Sequence, residues 1–279
     1  MKGEVRDKMN IFKFEFKRLL KGSIIWALVC SAIIVMFMLF FPSMKDMGIQ
    51  ELVGSKLEAL PEAFLEAFNI SGATDFSNIA DFSAYVLQYI IMAGGIYAAI
   101  LGVSALVKEE SEGTIEFLYS KPISRSSIVT AKLLASIVIF FIFIIILGVV
   151  TMISSLIVKP ENVESINLLM DIKTLYIGMA LIGYIFMAIG FLISVFVKSS
   201  KQAIPIALGV FFASYVIGIF SKLQDRLNSL IYLSPFDYAT PSEIIKNGFE
   251  IKFIIIGLCI IILSVVATYT IYSKKDFNI

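Results

Sequence analysis

Residues 108–132 read K-E-E-S-E-G-T-I-E-F-L-Y-S-K-P-I-S-R-S-S-I-V-T-A-K, and they gather the side chains of this sequence best placed to do chemistry. Four carboxylates, Glu109, Glu110, Glu112 and Glu116, surround or precede an apolar patch of Ile115, Phe117 and Leu118; Lys121-Pro122 and Arg125 follow. On a helix, Glu112 and Glu116 share one side at i, i+4, while Ile115 and Leu118 share another. The residue before a proline is pushed out of the α region, so Lys121-Pro122 ends that helix. Ser124 or Ser126 can then cap the next one. Such a segment offers recognition by charge and by an apolar anchor. Bond-making has nothing to rest on. There is no histidine, and no HExxH, CxxC, nucleophile elbow or G-x-x-x-x-G-K-[ST] phosphate loop. No catalytic set and no metal set is expected. Cys30 and Cys259 lie deep in apolar runs, where thiols pack.

What positions this segment is set by composition. Of 279 residues, 58% are hydrophobic and 16% charged, against about 25% charged in soluble domains; the mean hydropathy is +0.91. So much apolar surface needs lipid as its solvent. A net charge of +1 implies no nucleic-acid partner. A bilayer core takes about 20 helical residues to cross, and six runs qualify: 22–41, 83–107, 127–158, 175–197, 203–220 and 253–272. The expected fold is an all-α membrane protein of six spans. The third run is longer than needed and should tilt, kink near Gly148 or project beyond the membrane. The fifth carries Pro205 in its first turn, where a missing N–H costs little.

Lysine and arginine set the orientation. With the N-terminus cytoplasmic, fifteen of the 23 basic residues fall on inside segments and eight outside, so both ends are expected in the cytoplasm. No cleavage pattern follows the first run, which therefore reads as an uncleaved span. Residues 1–21 precede it. There Met9, Phe12, Phe16, Leu19 and Leu20 share one face, with Glu15, Lys17, Arg18 and Lys21 elsewhere, the pattern of a basic amphipathic helix in the headgroup layer; residues 22–279 then form the transmembrane domain.

The first outer loop, about 42–82, holds a second amphipathic stretch (Leu57, Leu60, Phe64, Leu65, Phe68) with Glu58, Glu62 and Glu66 on another face; it reads as an outer cap on the bundle. In the last outer loop, Thr240-Pro241-Ser242-Glu243 has the form of a capping box, and Gly248 is placed to stop the helix it opens. That loop is expected to be ordered and to dip partly into the membrane. Within the runs, Lys132 is the one ionisable side chain near membrane depth, and it should snorkel to the interface. Ion-coupled carriers place charges inside the bundle. Here Gln88, Tyr89, Tyr97, Thr151, Tyr184 and Tyr215 offer only hydroxyl and amide polarity, so uphill transport would need energy from another chain.

The stretch K-E-E-S-E-G-T-I-E-F-L-Y-S-K-P-I-S-R-S-S-I-V-T-A-K resembles the cytoplasmic segment of ABC type-2 transporter permeases, whose pattern is roughly KEE..GT.E.LL..P.SR..I...K. The matching residues are Lys108, Glu109, Glu110, Gly113, Thr114, Glu116, Lys121, Pro122, Ser124, Arg125 and Lys132. The resemblance covers nearly the whole chain: Phe12 to Lys21 at the start, Leu233-Ser234-Pro235-Phe236 and Ile244-Ile245-Lys246-Asn247-Gly248 before the last span, and Tyr272 to Asp276 after it. It departs at Tyr238-Ala239-Thr240-Pro241, where such proteins often read Y-F-D-P.

The resemblance implies a multi-pass subunit of a prokaryotic cell membrane that pairs with a second permease, identical or not, and with two soluble P-loop ATPase subunits. ATP and Mg2+ would sit on those partners and no cofactor on this chain. It implies that residues 109–125, with Glu112, Glu116 and Phe117 foremost, form the main ATPase-coupling helix. Lys198-Ser199-Ser200-Lys201 would form a lesser contact, with Lys198 and Lys201 as its charges, and the amphipathic start would be an elbow helix. The second and fifth spans would flank the dimer axis, making Tyr89, Tyr97, Phe212 and Tyr215 candidates for a substrate path; a lipid-facing or packing role is the alternative for each. An apolar path suits an amphipathic or hydrophobic cargo (drug, antimicrobial peptide or lipid-like molecule) exported from the cell. The rival reading is a passive sensor or immunity protein for a membrane-active peptide.

Overall fold

The computed structural model describes residues 2–46, 61, 65, 75–111 and 124–275, and its described elements are all helices. In chain order these are α1 (Lys2–Asp46), α2 (Ile79–Ser111), α3 (Arg125–Val158), α4 (Ser165–Ser194), α5 (Ala203–Leu223), the short α6 (Pro241–Asn247) and α7 (Ile251–Lys274). Three 3-10 segments, Ser200–Gln202, Asp225–Leu233 and Pro235–Ala239, join them. All but α6 are long and apolar enough to cross a bilayer, which makes the chain an all-α, multi-pass membrane protein. The expected outer cap lies outside the described residues except for Leu65.

Several boundaries differ from the apolar runs. The start of the chain and the first span form one unbroken 45-residue helix; the expected elbow is its first part, with no break at Lys21-Gly22. Helix α2 starts before its apolar run because Asn78 Oδ1 accepts from the Ala80 N–H (2.9 Å). Just ahead, Asp75 accepts from the Ser77 backbone (2.8 Å) and hydroxyl (2.6 Å), and the Ser77 hydroxyl above all holds its carboxyl below the usual range. Helix α4 starts at Ser165 rather than 175 because Leu168 and Ile172 are already buried in the core. Helix α3 runs unbroken for 34 residues, roughly 50 Å, with the Tyr176 ring against Gly148.

The bundle has a centre and a periphery. In the most apolar window of α2, 72% of residues are buried, and in α4 61%; in α1, α5 and α7 the shares are 28%, 28% and 22%. The central pair is close because lipid gives no hydrophobic push between helices, so small residues must let backbones approach. A Cβ on Gly190 would lie 2.7 Å from the Ala99 carbonyl oxygen, and one on Gly102 would run into the Met187 carbonyl. These two glycines interlock α2 with α4. Gly102→Val is expected to separate them, at a cost of about 1–3 kcal/mol or more, read as an earlier thermal transition in detergent. Around this centre Trp26 stacks on Tyr97 (5.3 Å between centroids), Tyr97 meets Phe143 (5.0 Å), and Phe186 meets Phe211 (4.8 Å).

At the end of the bundle far from the termini, the expected ordered loop is present and reaches inward. Phe236, Tyr238 and Ala239 are buried; a Cβ on Gly178 of α4 would meet the Ile244 and Ala239 side chains. Thr240 is the N-cap of α6 and Pro241 its first residue, as the spacing predicts. The reciprocal side-chain bonds of a capping box do not form, however: Thr240 makes no side-chain cap bond. Glu243 instead accepts from Asn247 Nδ2 (3.0 Å). Gly248 ends the helix at φ 73°, a left-handed conformation that favours glycine.

Candidate functional site

The cytoplasmic-type segment begins where α2 ends and finishes where α3 begins. Glu112, Gly113, Thr114, Glu116, Phe117, Lys121 and Pro122 lie outside the described residues. Glu109 and Glu110 belong to the last turn of α2, with side chains outside the description. What the structure describes is the platform on which the segment is mounted.

Its first anchor is Ser111, the last residue of α2, whose Oγ accepts from the Ser200 N–H (3.1 Å). The two expected contact elements therefore meet: the turn between α4 and α5 is hydrogen-bonded to the start of the main segment. Lys198 and Lys201 flank Ser200 in that turn and are both exposed.

The second anchor is at the other end. Ser124, of the two serines that could cap α3, is the N-cap and its Oγ accepts from the Ser127 N–H (3.3 Å). Arg125 then reaches across to α7, donating through Nη1 to the carbonyls of Ser273 (3.1 Å) and Lys275 (2.6 Å). Those are final carbonyls of a helix, which lack intrahelical partners and favour a cation. One turn along α3, Thr130 donates to the Ser126 carbonyl (2.7 Å) and pairs with the Tyr269 hydroxyl (2.7 Å). Arg125→Ala is expected to loosen the end of α7: proteolysis of the C-terminal residues should accelerate while the thermal transition of the bundle moves little.

The third anchor corrects an expectation. Lys132 does not snorkel to the interface. Its side chain is 2% exposed, and Nζ donates to Glu15 Oε1 (3.0 Å) on α1 and to the Ala105 carbonyl (2.9 Å) on α2. Glu15, 4% exposed, also pairs with Arg18 (2.6 Å), which is 20% exposed. A buried ammonium must be paired and hydrogen-bonded, and a carboxylate and a carbonyl within reach satisfy it better than a stretch to water. One lysine thus joins α1, α2 and α3 beneath the segment. Glu15 is the residue sequence reasoning missed. Its sole signal in the sequence is an acid among basic residues off the apolar face of the first helix, 117 positions from its partner.

Of the candidate path residues, Tyr89 on α2 and Tyr215 on α5 are neighbours, and the four differ in exposure. Tyr97 is 4% exposed and packed among rings in the core of this chain. Tyr89 and Phe212 are 39% and 47% exposed, and Tyr89 donates to the Tyr85 hydroxyl (3.3 Å). Tyr215 is half-buried against Phe236 (5.3 Å between centroids).

At the far end, Asp237 is 4% exposed and pairs with Lys222 (2.8 Å) and the Ser234 hydroxyl. Its carboxylate is a buried acid just ahead of Tyr238-Ala239-Thr240-Pro241, where the motif departs from Y-F-D-P. Gly218 makes room for it, since a Cβ there would overlap the Asp237 carboxylate. Beside it opens a cavity of about 840 Å3 whose lining includes Lys222, Asp237, Tyr238, Glu243, Lys252 and Phe253. Burial pushes the Tyr238 hydroxyl up to about 12, so it stays a donor to the Tyr232 carbonyl. Lys252 pairs with Glu250 (2.6 Å) and lies over the Phe253 ring (4.7 Å). Among the described residues no group of histidines, cysteines and carboxylates could hold a metal ion.

Comparison with known proteins agrees with this architecture. No curated protein matches the chain. The family described as ABC-2 family transporter protein matches residues 9–277, spanning all six long helices. The chain therefore belongs to the ABC-2 family of transporter proteins, as a multi-pass membrane permease of an ABC transporter.

Proposed function

We propose that this permease is the membrane half of an ATP-driven exporter, working with a second permease and two soluble P-loop ATPase subunits. The observation that supports this is how the residues flanking 112–123 are held. Ser111 before them is bonded to the α4–α5 turn at Ser200. Arg125 after them is bonded to the end of α7. The helices on either side are joined through Lys132. A solvated loop needs no such fixing, whereas a lever does.

In this reading Glu112, Glu116 and Phe117 seat in a groove of the ATPase, with Glu109, Glu110, Lys121, Lys198 and Lys201 around them. Closure of the ATPase pair pushes on α2 and α3 together. The thinly packed α5 and its neighbour on α2, with Phe212 and Tyr89 exposed, face the second permease. The cargo is amphipathic or hydrophobic, since the long helices present apolar rather than charged surface to the path. Both chain ends lie in the cytoplasm. Photo-crosslinking from a benzophenone amino acid at position 117 tests the contact. Capture of a P-loop ATPase supports the reading, and capture of lipid alone counts against it.

A further inference from the structure

The first part of α1 carries a second surface, opposite Glu15. Lys13, Lys17 and Lys21 stand at i, i+4, i+8 and are all exposed. None of them meets an acid or a carbonyl among the described residues. At 100° per residue they fall within about 80° of one another. The lipid-depth residues Ile24, Leu28, Val35 and Leu39 fall in the same sector, and they are 43%, 65%, 37% and 59% exposed. The lysine stripe is therefore the direct continuation of the apolar face that α1 turns outward within the membrane. Apolar side chains border it as well: Met9 is 50% exposed and Phe14 65%. The buried Glu15, Ser23, Ala27, Cys30, Ile34 and Met38 all fall outside this sector, on the remaining side of the helix.

We infer that Lys13, Lys17 and Lys21 form a site for anionic phospholipid headgroups. A face that is lipid-covered from Ile24 onward meets the headgroup layer at Lys21 and the turns before it. A stripe of unpaired ammonium groups there selects negative headgroups over zwitterionic ones. The three α-carbons span about 12 Å along the helix and the headgroup layer is roughly 5–7 Å deep; flexible lysine stems cover the difference. On its inner side the same stretch of helix holds Glu15 against Lys132, so a lipid bound outside steadies the contact beneath the segment. This inference stands on the membrane placement of α1 and is independent of the ATPase.

The test is native mass spectrometry of the full chain from mixed micelles of equal parts phosphatidylglycerol and phosphatidylcholine. The wild-type chain should retain phosphatidylglycerol preferentially, and added salt should erase the preference. The triple variant K13Q/K17Q/K21Q should reduce it by about a hundredfold, at about fivefold per lysine. K173Q, an exposed lysine at the opposite end of the bundle, should leave it unchanged. Equal retention of both lipids by the wild type overturns the proposal, as does an undiminished preference in the triple variant. Loss of a bound soluble protein with the lipid preference intact also overturns it, placing a protein on this face instead. The salt series on the wild type keeps the proposal falsifiable even if the variant folds poorly: a preference that salt does not erase overturns it.

Discussion

Lys132→Met is expected to destabilise the bundle by about 3–5 kcal/mol, the cost of removing one partner from a buried ion pair. Methionine fills much of the lysine stem, so lost packing is a small part of the effect. What is lost is the donor to two acceptors: the Glu15 carboxylate and the Ala105 carbonyl. Arg18 still holds Glu15 and keeps the loss towards the lower end. Glu15→Leu added to Lys132→Met should recover most of the stability, because a well-packed apolar pair replaces a buried ionic one at little or no cost. Exchanging the charges, Glu15→Lys with Lys132→Glu, should not. The new carboxylate would face the Ala105 carbonyl and the new lysine would face Arg18. Thermal denaturation of the four proteins in one detergent checks this. A Lys132→Met variant as stable as the wild type, or full recovery in the exchanged pair, would contradict the assignment.

The second large effect concerns the partner rather than the fold. Glu112→Lys with Glu116→Lys reverses both charges on one side of the central segment. Like charges set against each other across an interface cost several kcal/mol, so ATPase retention should fall on the order of a hundredfold. The permease itself should melt as before, since none of the three described anchors uses these side chains. Co-purification and a melting curve on the same sample separate the two outcomes. Retained ATPase in the double variant would remove the glutamates from the contact.

The six spans were legible because lipid as solvent demands long uninterrupted apolar runs, and little else makes them. Their ends were less so. Leu168 and Ile172 extend α4 by packing against a neighbour, and periodicity within one helix does not record that contact. Thr240, Pro241 and Gly248 marked α6 correctly because cap and stop positions are local; whether the side chains close a box depends on tertiary surroundings, and here Glu243 turns to Asn247. The error at Lys132 has the same root. A lone lysine near a span end snorkels unless an acid awaits it inside, and Glu15 stands among basic residues on a helix whose pattern places its charges in the headgroup layer. The amphipathic start was recognised as such, yet its most consequential charge faces inward and its three unpaired lysines outward. The pattern of the central segment pointed to the family. Its three anchors join residues 89 to 150 positions apart at Ser111–Ser200, Lys132–Glu15 and Arg125–Lys275, and only a folded chain brings those together.

The claim that energy enters through residues 109–125 is tested most directly by gentle solubilisation of the tagged chain from its native membrane and mass spectrometry of what remains bound. The predicted result is a P-loop ATPase in stoichiometric amount, lost in the Glu112→Lys, Glu116→Lys variant. Recovery of the permease alone under several detergents would contradict it and favour a passive sensor or immunity role.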